Sequence, residues 1–378
     1  MYMFVYPMDI IILIIIQICM KLDGVVTQLA TQYPNTDQLT PREKALTVAS
    51  FLKANNITGI EPGREYHLLE HNFLGVALDD TGHNSLPLVS AAIYCYAAQR
   101  IGLNARLCGF PLHVHVIIIP PPGFDVDGNA IGDAKQGDPI YMDPFRSEKE
   151  THVSNLQNQL TWLGASSAER FTYLGESHIS QVILRCGKNI MNSIQRTEQF
   201  PDTHTTLLDL ESAKYAALWA SILASDPIRP ADRRQYVPWL VELLAVEFSF
   251  DVHLAERYLA PIFRGLPEHE RIMEGLHVMQ AVDDEPKQIR RRSSENKNTR
   301  YRVGQVFCHR RYNYYAIITG WDTKCEADEY WARTMRIDNL PAGRHQSFYH
   351  VLYDTLKRST RLFDILTTAE SKIKAFVT

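Results

Sequence analysis

The sequence predicts a multi-domain α+β protein with a mixed α/β core, a helical middle region and a small C-terminal β-barrel. Three observations carry this. The 378 residues are enough for two or three domains, each able to bury a core. Helix and strand periodicities alternate up to about residue 150, whereas from 165 to 285 the apolar spacing is helical throughout. Beyond residue 300 the composition turns aromatic and β-prone, with Tyr301, Val303, Val306, Phe307, Tyr312, Tyr314, Tyr315, Ile317 and Ile318 punctuated by Gly304 and Gly320.

Residues 1–39 form an apolar segment and lead-in. Ile10 to Met20 is apolar except for Gln17, with Asp9 ahead and Lys21 behind. As a helix this run covers about 16 Å, half of a bilayer core of about 30 Å. A basic n-region and a small-residue cleavage site are both missing, which argues against a signal peptide. A buried helix, a misassigned chain start and a membrane anchor all stay open.

Residues 40–164 read as the α/β core. Thr40-Pro41-Arg42-Glu43 supplies an N-cap, a Pro at the first helical position and a Glu at the third, so a helix is expected there. A second helix is expected over Leu86–Ile101, stopped by Gly102, and a strand over Leu112–Ile119, ended by three prolines. A Gly- and Asp-rich loop then leads to a short strand at Pro139–Met142. In residues 165–286, helices are expected over Ser180–Ile194, Leu208–Leu223, Tyr236–Phe248 and Val252–Phe263, packed as antiparallel pairs. Residues 287–300 form a polar, basic linker, and 301–378 the β domain.

Net charge is −4, unevenly spread: from Arg300 onward there are 13 Lys and Arg against 8 Asp and Glu. A basic tail domain permits an anionic partner without requiring one. Six cysteines without a CxxC pair give neither a disulfide framework nor a zinc ribbon. Free thiols suit a reducing compartment, so a cytoplasmic or nuclear setting is expected.

Two metal-like patterns occur. His67-Leu68-Leu69-Glu70-His71 matches the H-x-x-E-H spacing of inverted zincins, but Pro62-Gly63 before it and Gly75 after it leave too little room for the helix this chemistry needs. His113 and His115 alternate along the expected strand and so face the same way, with Asp143 a conceivable third ligand. The first match reads as a coincidence at a helix end. For the second, the alternative is that one histidine sits in a residual catalytic site while the other packs or faces solvent, and neither a metal nor a cofactor is expected.

The blocks HNFLGVALDDTGHNSLPLVSAAIYCYAAQRIGLNAR, GFPLHVHVIII and IYMDPFR resemble the transglutaminase-like core of the SirB type. The resemblance implies a nucleophile, histidine and aspartate triad. Gly102 to Arg106 matches the turn after the nucleophile helix, His113 the histidine and Asp143-Pro144 the aspartate. The family's spacing puts the nucleophile at Pro87, which has neither thiol nor hydroxyl, so only a vestigial triad and no enzyme activity are expected. Cys95 lies eight residues further along the helix, about 12 Å away.

The segment YRVGQVFCHRRYNYYAIITGWDTKC, then EYWARTM and HQSFYHVLYD, resembles the YccV/HspQ-like hemimethylated-DNA-binding family, which implies the small β-barrel. Arg302, His309, Arg310, Arg311, Trp321, Tyr349 and His350 are then candidate DNA or ligand contacts: the arginines neutralise phosphates and the aromatic faces stack on bases. Trp321, Trp331 and Phe348 read equally well as core, and the arginines as solvated surface. The family's closing strand is replaced by LFDILTTAESKIKAF after Thr360-Arg361, so that strand is expected to be altered or missing.

Both domains in this order, with the blocks HNSLPLVSAAIYC and HVHVI, resemble fungal members of the F-box only protein twenty-one type. No F-box pattern is readable. The resemblance implies a non-catalytic adaptor that recruits protein substrates to ubiquitin-ligase subunits. A DNA-binding protein acting through the barrel is the main alternative, and an active cysteine-type acyltransferase or protease the remaining one. No small-molecule substrate is expected.

Overall fold

The structure is a computed structural model. It describes residues 7–378 except 133–134, 201–205, 207, 227–228, 230, 285–298, 310–314, 328, 335, 355–362, 370–372 and 376–378. The chain divides into two compact units, one of residues 1–206 and 213–243, the other of residues 207–212 and 244–378.

The first unit opens with α1 (Pro7–Gln32) and α2 (Pro41–Ala54). The capping box at Thr40 forms as expected: the Thr40 hydroxyl accepts from the Glu43 N–H at 3.3 Å, and the Glu43 carboxylate accepts from the Thr40 N–H at 2.9 Å. A short α3 (Leu74–Asp79) precedes α4 (Pro87–Arg100). Ten of the fourteen α4 residues are buried, so this helix is the axis of the core. The antiparallel sheet β1 (Asn104–Leu107), β2 (Val116–Ile119), β3 (Ile140–Met142) and β4 (Glu150–Thr151) packs beside it in sequential order. Ala105 pairs with Ile118, and Ile118 with Ile140, bringing their side chains to the face that α4 covers.

The apolar N-terminal run divides. Leu22 and Leu29 of α1 are buried in the core with Phe51, Leu52 and Tyr94, and Ile18, Val25 and Val26 pack at its margin. Lys21 pairs with Asp79, and the Asp23 carboxylate accepts from the Tyr96 hydroxyl at 2.7 Å. Ile12 to Ile16 stay about half exposed. Ile12–Gln32 is long and apolar enough to cross a membrane by length and composition, yet its second half is a core helix here.

The strand expected over Leu112–Ile119 is shorter than its apolar run. Leu112 takes a left-handed conformation (φ 66°), which no strand residue adopts, and pairing begins at Val116. Downstream lie α5 (Val153–Trp162), α6 (Ser167–Leu174), α7 (Ile179–Gln199), α8 (Leu210–Ala224), α9 (Ala231–Arg234) and α10 (Val237–Val246). The last expected helix, Val252–Phe263, is α-helical only over α11 (Val252–Leu254). It continues as a π turn over Ala255–Leu259 and a 3-10 turn over Ala260–Phe263, where Pro261 removes an amide donor. Helix α12 (Pro267–Asp284) follows.

The C-terminal sheet comprises β5 (Val306–His309), β6 (Tyr315–Asp322), β7 (Phe348–Asp354), β8 (Phe363–Ala369) and β9 (Ile373–Ala375), all antiparallel, with α13 (Glu329–Thr334) between β6 and β7. Its order is β8-β7-β6-β5-β9. The expected barrel is therefore corrected: among the described residues β8 and β9 are two unpaired edges, and the sheet is open. The divergent segment after Arg361 is not a lost strand. It supplies β8, which pairs along all of β7, and β9, which pairs with β5.

Candidate functional site

The polar centre of the first unit forms where β2 and β3 begin and end. Asp143 follows β3 directly, and the bend at Leu112 turns His113 towards it. His113 Nε2 donates to Asp143 Oδ2 at 2.9 Å, and the Arg146 N–H donates to Asp143 Oδ1 at 3.3 Å. The Asp143 side chain is 7% exposed and that of His113 12%. Burial opposes ionisation of Asp143, but the hydrogen bond and charge of His113 outweigh it and hold the carboxyl below its usual pKa.

His115 is buried beside them. Its Nδ1–H donates to the His113 carbonyl at 3.3 Å, and its ring sits 5.1 Å from those of His113 and Phe110. Burial, the largest influence, pushes its pKa down to about 4, so it is neutral at physiological pH. Phe145 packs edge-on against His113 at 5.9 Å and Tyr66 against Phe145 at 5.9 Å, forming an aromatic wall. Sequence reading missed this wall, although Phe145 stands two residues after Asp143.

Pro87 is the first residue of α4 and is buried. Its fixed φ suits that position, and its missing N–H costs the helix nothing there. It lines a cavity of about 540 Å³ with Tyr66, Leu88, Leu112, Val114, Arg185 and Lys188. His113 opens instead on a second cavity of about 590 Å³, with Arg146, Asn158, Gln159, Trp162 and Leu163. Pro111 and Leu112 border both. Leu112 and Trp162 are 87% and 91% exposed, an unusual display of large apolar side chains at one cavity mouth.

Cys95, Ser85 and Ser90, the nearby thiol and hydroxyl groups, are all buried. Burial pushes the Cys95 thiol up to about 12. Ser85 and Ser90 are buried, with their hydroxyl oxygens 2.7 Å apart, and Ser90 also accepts from the Gly59 N–H at 3.1 Å. That arrangement braces the start of α4.

The H-x-x-E-H segment is not a zincin helix. Only Leu69–Asn72 is helical, as a 3-10 turn, and the His71 ring is buried and donates to the Tyr66 carbonyl at 3.4 Å. The His113, His115 and Asp143 cluster does assemble, through the bend rather than through strand alternation.

In the second unit the candidate contacts separate. Tyr349 is fully buried: its hydroxyl accepts from the N–H groups of Arg300 (2.9 Å) and Tyr301 (3.1 Å), and its ring packs 5.5 Å from that of Tyr301. It is a core residue, which corrects its reading as a ligand contact. Trp321 is half-buried against the same core. His350 Nε2 donates to Asp322 Oδ2 at 2.8 Å, over Gly320, where a Cβ would come within 3.1 Å of the His350 ring. Both line a cavity of about 300 Å³ with Cys325 and Glu326. Arg302 is exposed. His309 lies on β5 opposite Ile373, while Arg310 and Arg311 fall outside the described residues.

Comparisons with known proteins agree with this division. Residues 16–187 match the transglutaminase-like superfamily, and residues 299–375 match the family described as hemimethylated DNA-binding protein YccV-like. The chain is 35% identical over 286 residues to F-box only protein 21 of Mus musculus, covering 72% of this chain and 42% of that protein. It is 34% identical over 79 residues to the F-box only protein 21 of Pongo abelii and of Homo sapiens, 21% of this chain and 13% of each relative. The chain thus spans less than half the length of the curated relatives it matches. No solved structure matches. With the matches falling on the two regions just described, the chain carries a transglutaminase-like domain and a C-terminal YccV-like domain.

Proposed function

We propose that the chain is a non-catalytic binding or adaptor protein whose transglutaminase-like domain performs no acyl transfer. The carrying observation is Pro87 at the first turn of α4, where the resemblance puts the nucleophile. Proline can neither attack a carbonyl nor hold a covalent intermediate. The protonated, buried Cys95 and the braced Ser85 and Ser90 support the same reading. Similarity to F-box only protein 21 supports a ubiquitin-ligase-related role, in which the chain recruits protein substrates in a cytoplasmic or nuclear setting. The test is a thiol-directed activity probe on the native full chain, with amine incorporation and peptide hydrolysis followed in parallel. No turnover is expected. Turnover abolished by Cys95→Ala would overturn the proposal.

A second reading is favoured by the YccV-like match and the excess of basic residues after Arg300: the C-terminal domain binds DNA mainly through phosphates. Each neutralised phosphate adds a slope of roughly −0.9 in log affinity against log salt. Titrating the full chain with hemimethylated and unmodified duplexes at two salt concentrations tests this. Replacing Arg310 and Arg311 by Ala should reduce the slope by about two. Absence of binding at low salt would leave the domain as a protein-interaction module.

A further inference from the structure

We propose that His113, His115 and Asp143 form a binding site for one divalent transition-metal ion. One ligand atom from each residue lies within 4.8 Å of the other two. Two imidazoles and one carboxylate suit zinc and its neighbours in the first transition row, and exclude neither tetrahedral nor higher coordination.

Two atoms each about 2.1 Å from one cation are separated by about 3.0 Å at a right angle and by about 3.4 Å at the tetrahedral angle. His113 Nε2 and Asp143 Oδ2 are 2.9 Å apart as hydrogen-bond partners, so they need to part only slightly to admit the ion. The ion would take the place of the proton on His113 Nε2, which leaves to solvent. With its Nδ1–H donated to the His113 carbonyl, His115 carries its lone pair on Nε2, the nitrogen it would offer a cation. The same bond fixes the ring's tautomer, and the Arg146 N–H on Asp143 Oδ1 orients the carboxylate, leaving Oδ2 for the metal.

The site also has an entrance. His113 lines the cavity of about 590 Å³ with Arg146, Gln159 and Trp162, so solvent water can complete the coordination shell from that side. Three protein ligands and an open position distinguish this arrangement from a closed structural site. The site does not depend on Pro87, which lines a cavity that His113 does not line.

The full chain, stripped with chelator and dialysed against zinc at micromolar free concentration, should retain about one equivalent by elemental analysis. His115→Gln and Asp143→Asn should each weaken zinc binding at least tenfold in competition with a chromogenic chelator, while His152→Ala, an exposed histidine elsewhere, should leave it unchanged. Retention below a tenth of an equivalent by the wild-type chain overturns the proposal, as does equal retention by all variants, which would mark adventitious binding. Should a variant unfold, histidine-selective 15N labelling of the wild-type chain decides. Zinc should move the ring nitrogens of two histidines and no others, and any other pattern counts against the site.

Discussion

His113 Nε2 reaches Asp143 Oδ2 at 2.9 Å although Pro87 stands at the first turn of α4. The histidine and aspartate that the resemblance assigns to a triad are thus held in a buried hydrogen bond. Removing one partner of such a pair strands the other: Asp143→Ala should cost about 1–3 kcal/mol in urea unfolding. A cost under about 0.5 kcal/mol would mean that the pair contributes little to the fold.

Thiol reactivity should follow burial. With its pKa near 12, Cys95 is thiolate in only about one molecule in ten thousand at pH 8. Exposed Cys19 should therefore be alkylated far sooner, with Cys95 modified only after denaturant is added. Pro87→Cys should gain at most weak reactivity, because residue 87 and His113 line different cavities. Mass mapping of iodoacetamide adducts over time reads both outcomes, and early labelling of Cys95 would contradict its burial.

His71 should make stability fall on acidification. Burial, the largest influence, lowers its pKa from 6.5, so the folded state resists the proton that the unfolded chain accepts. Its contribution is fully present above pH 6.5 and is lost as pH falls from there towards the folded pKa. Unfolding free energies at pH 7.5 and 5.5 should differ less in His71→Asn than in the wild type. Equal differences would remove His71 as the cause.

Helix α1 should be needed for the fold. Deleting residues 1–24 removes Leu22, the Lys21–Asp79 pair and the Asp23–Tyr96 hydrogen bond. Leu29→Ala should cost about 2–5 kcal/mol, whereas Ile14→Ser, on an exposed face, should stay within about 0.5 kcal/mol. Thermal and urea unfolding of the full chain, the deletion and both variants measure this. An unchanged melting temperature in the deletion would show that the helix is dispensable.

Tyr349→Phe should destabilise the C-terminal domain by about 1–3 kcal/mol, because the buried Tyr301 N–H and the neighbouring Arg300 N–H lose their acceptor. Amide exchange at Arg300 and Tyr301 should speed up, and unchanged protection there would contradict the assignment.

The sequence by itself determined the local grammar. The Thr40 capping box, the start of α4 at Pro87 and the β-prone run around Ile317 could be read because neighbouring residues set them. Its motifs also located His113 and Asp143. Tertiary structure decided what depends on long-range packing. The apolar run at Leu112 does not extend as a strand, because a left-handed turn aims His113 at a residue thirty positions away. Tyr349 went to the core because amides 48 and 49 positions earlier needed its hydroxyl, and whether an aromatic ring is buried is not encoded in its type. Among the described residues the C-terminal sheet is open because closure requires its edge strands β8 and β9 to meet, a matter of sheet order that strand periodicity does not contain.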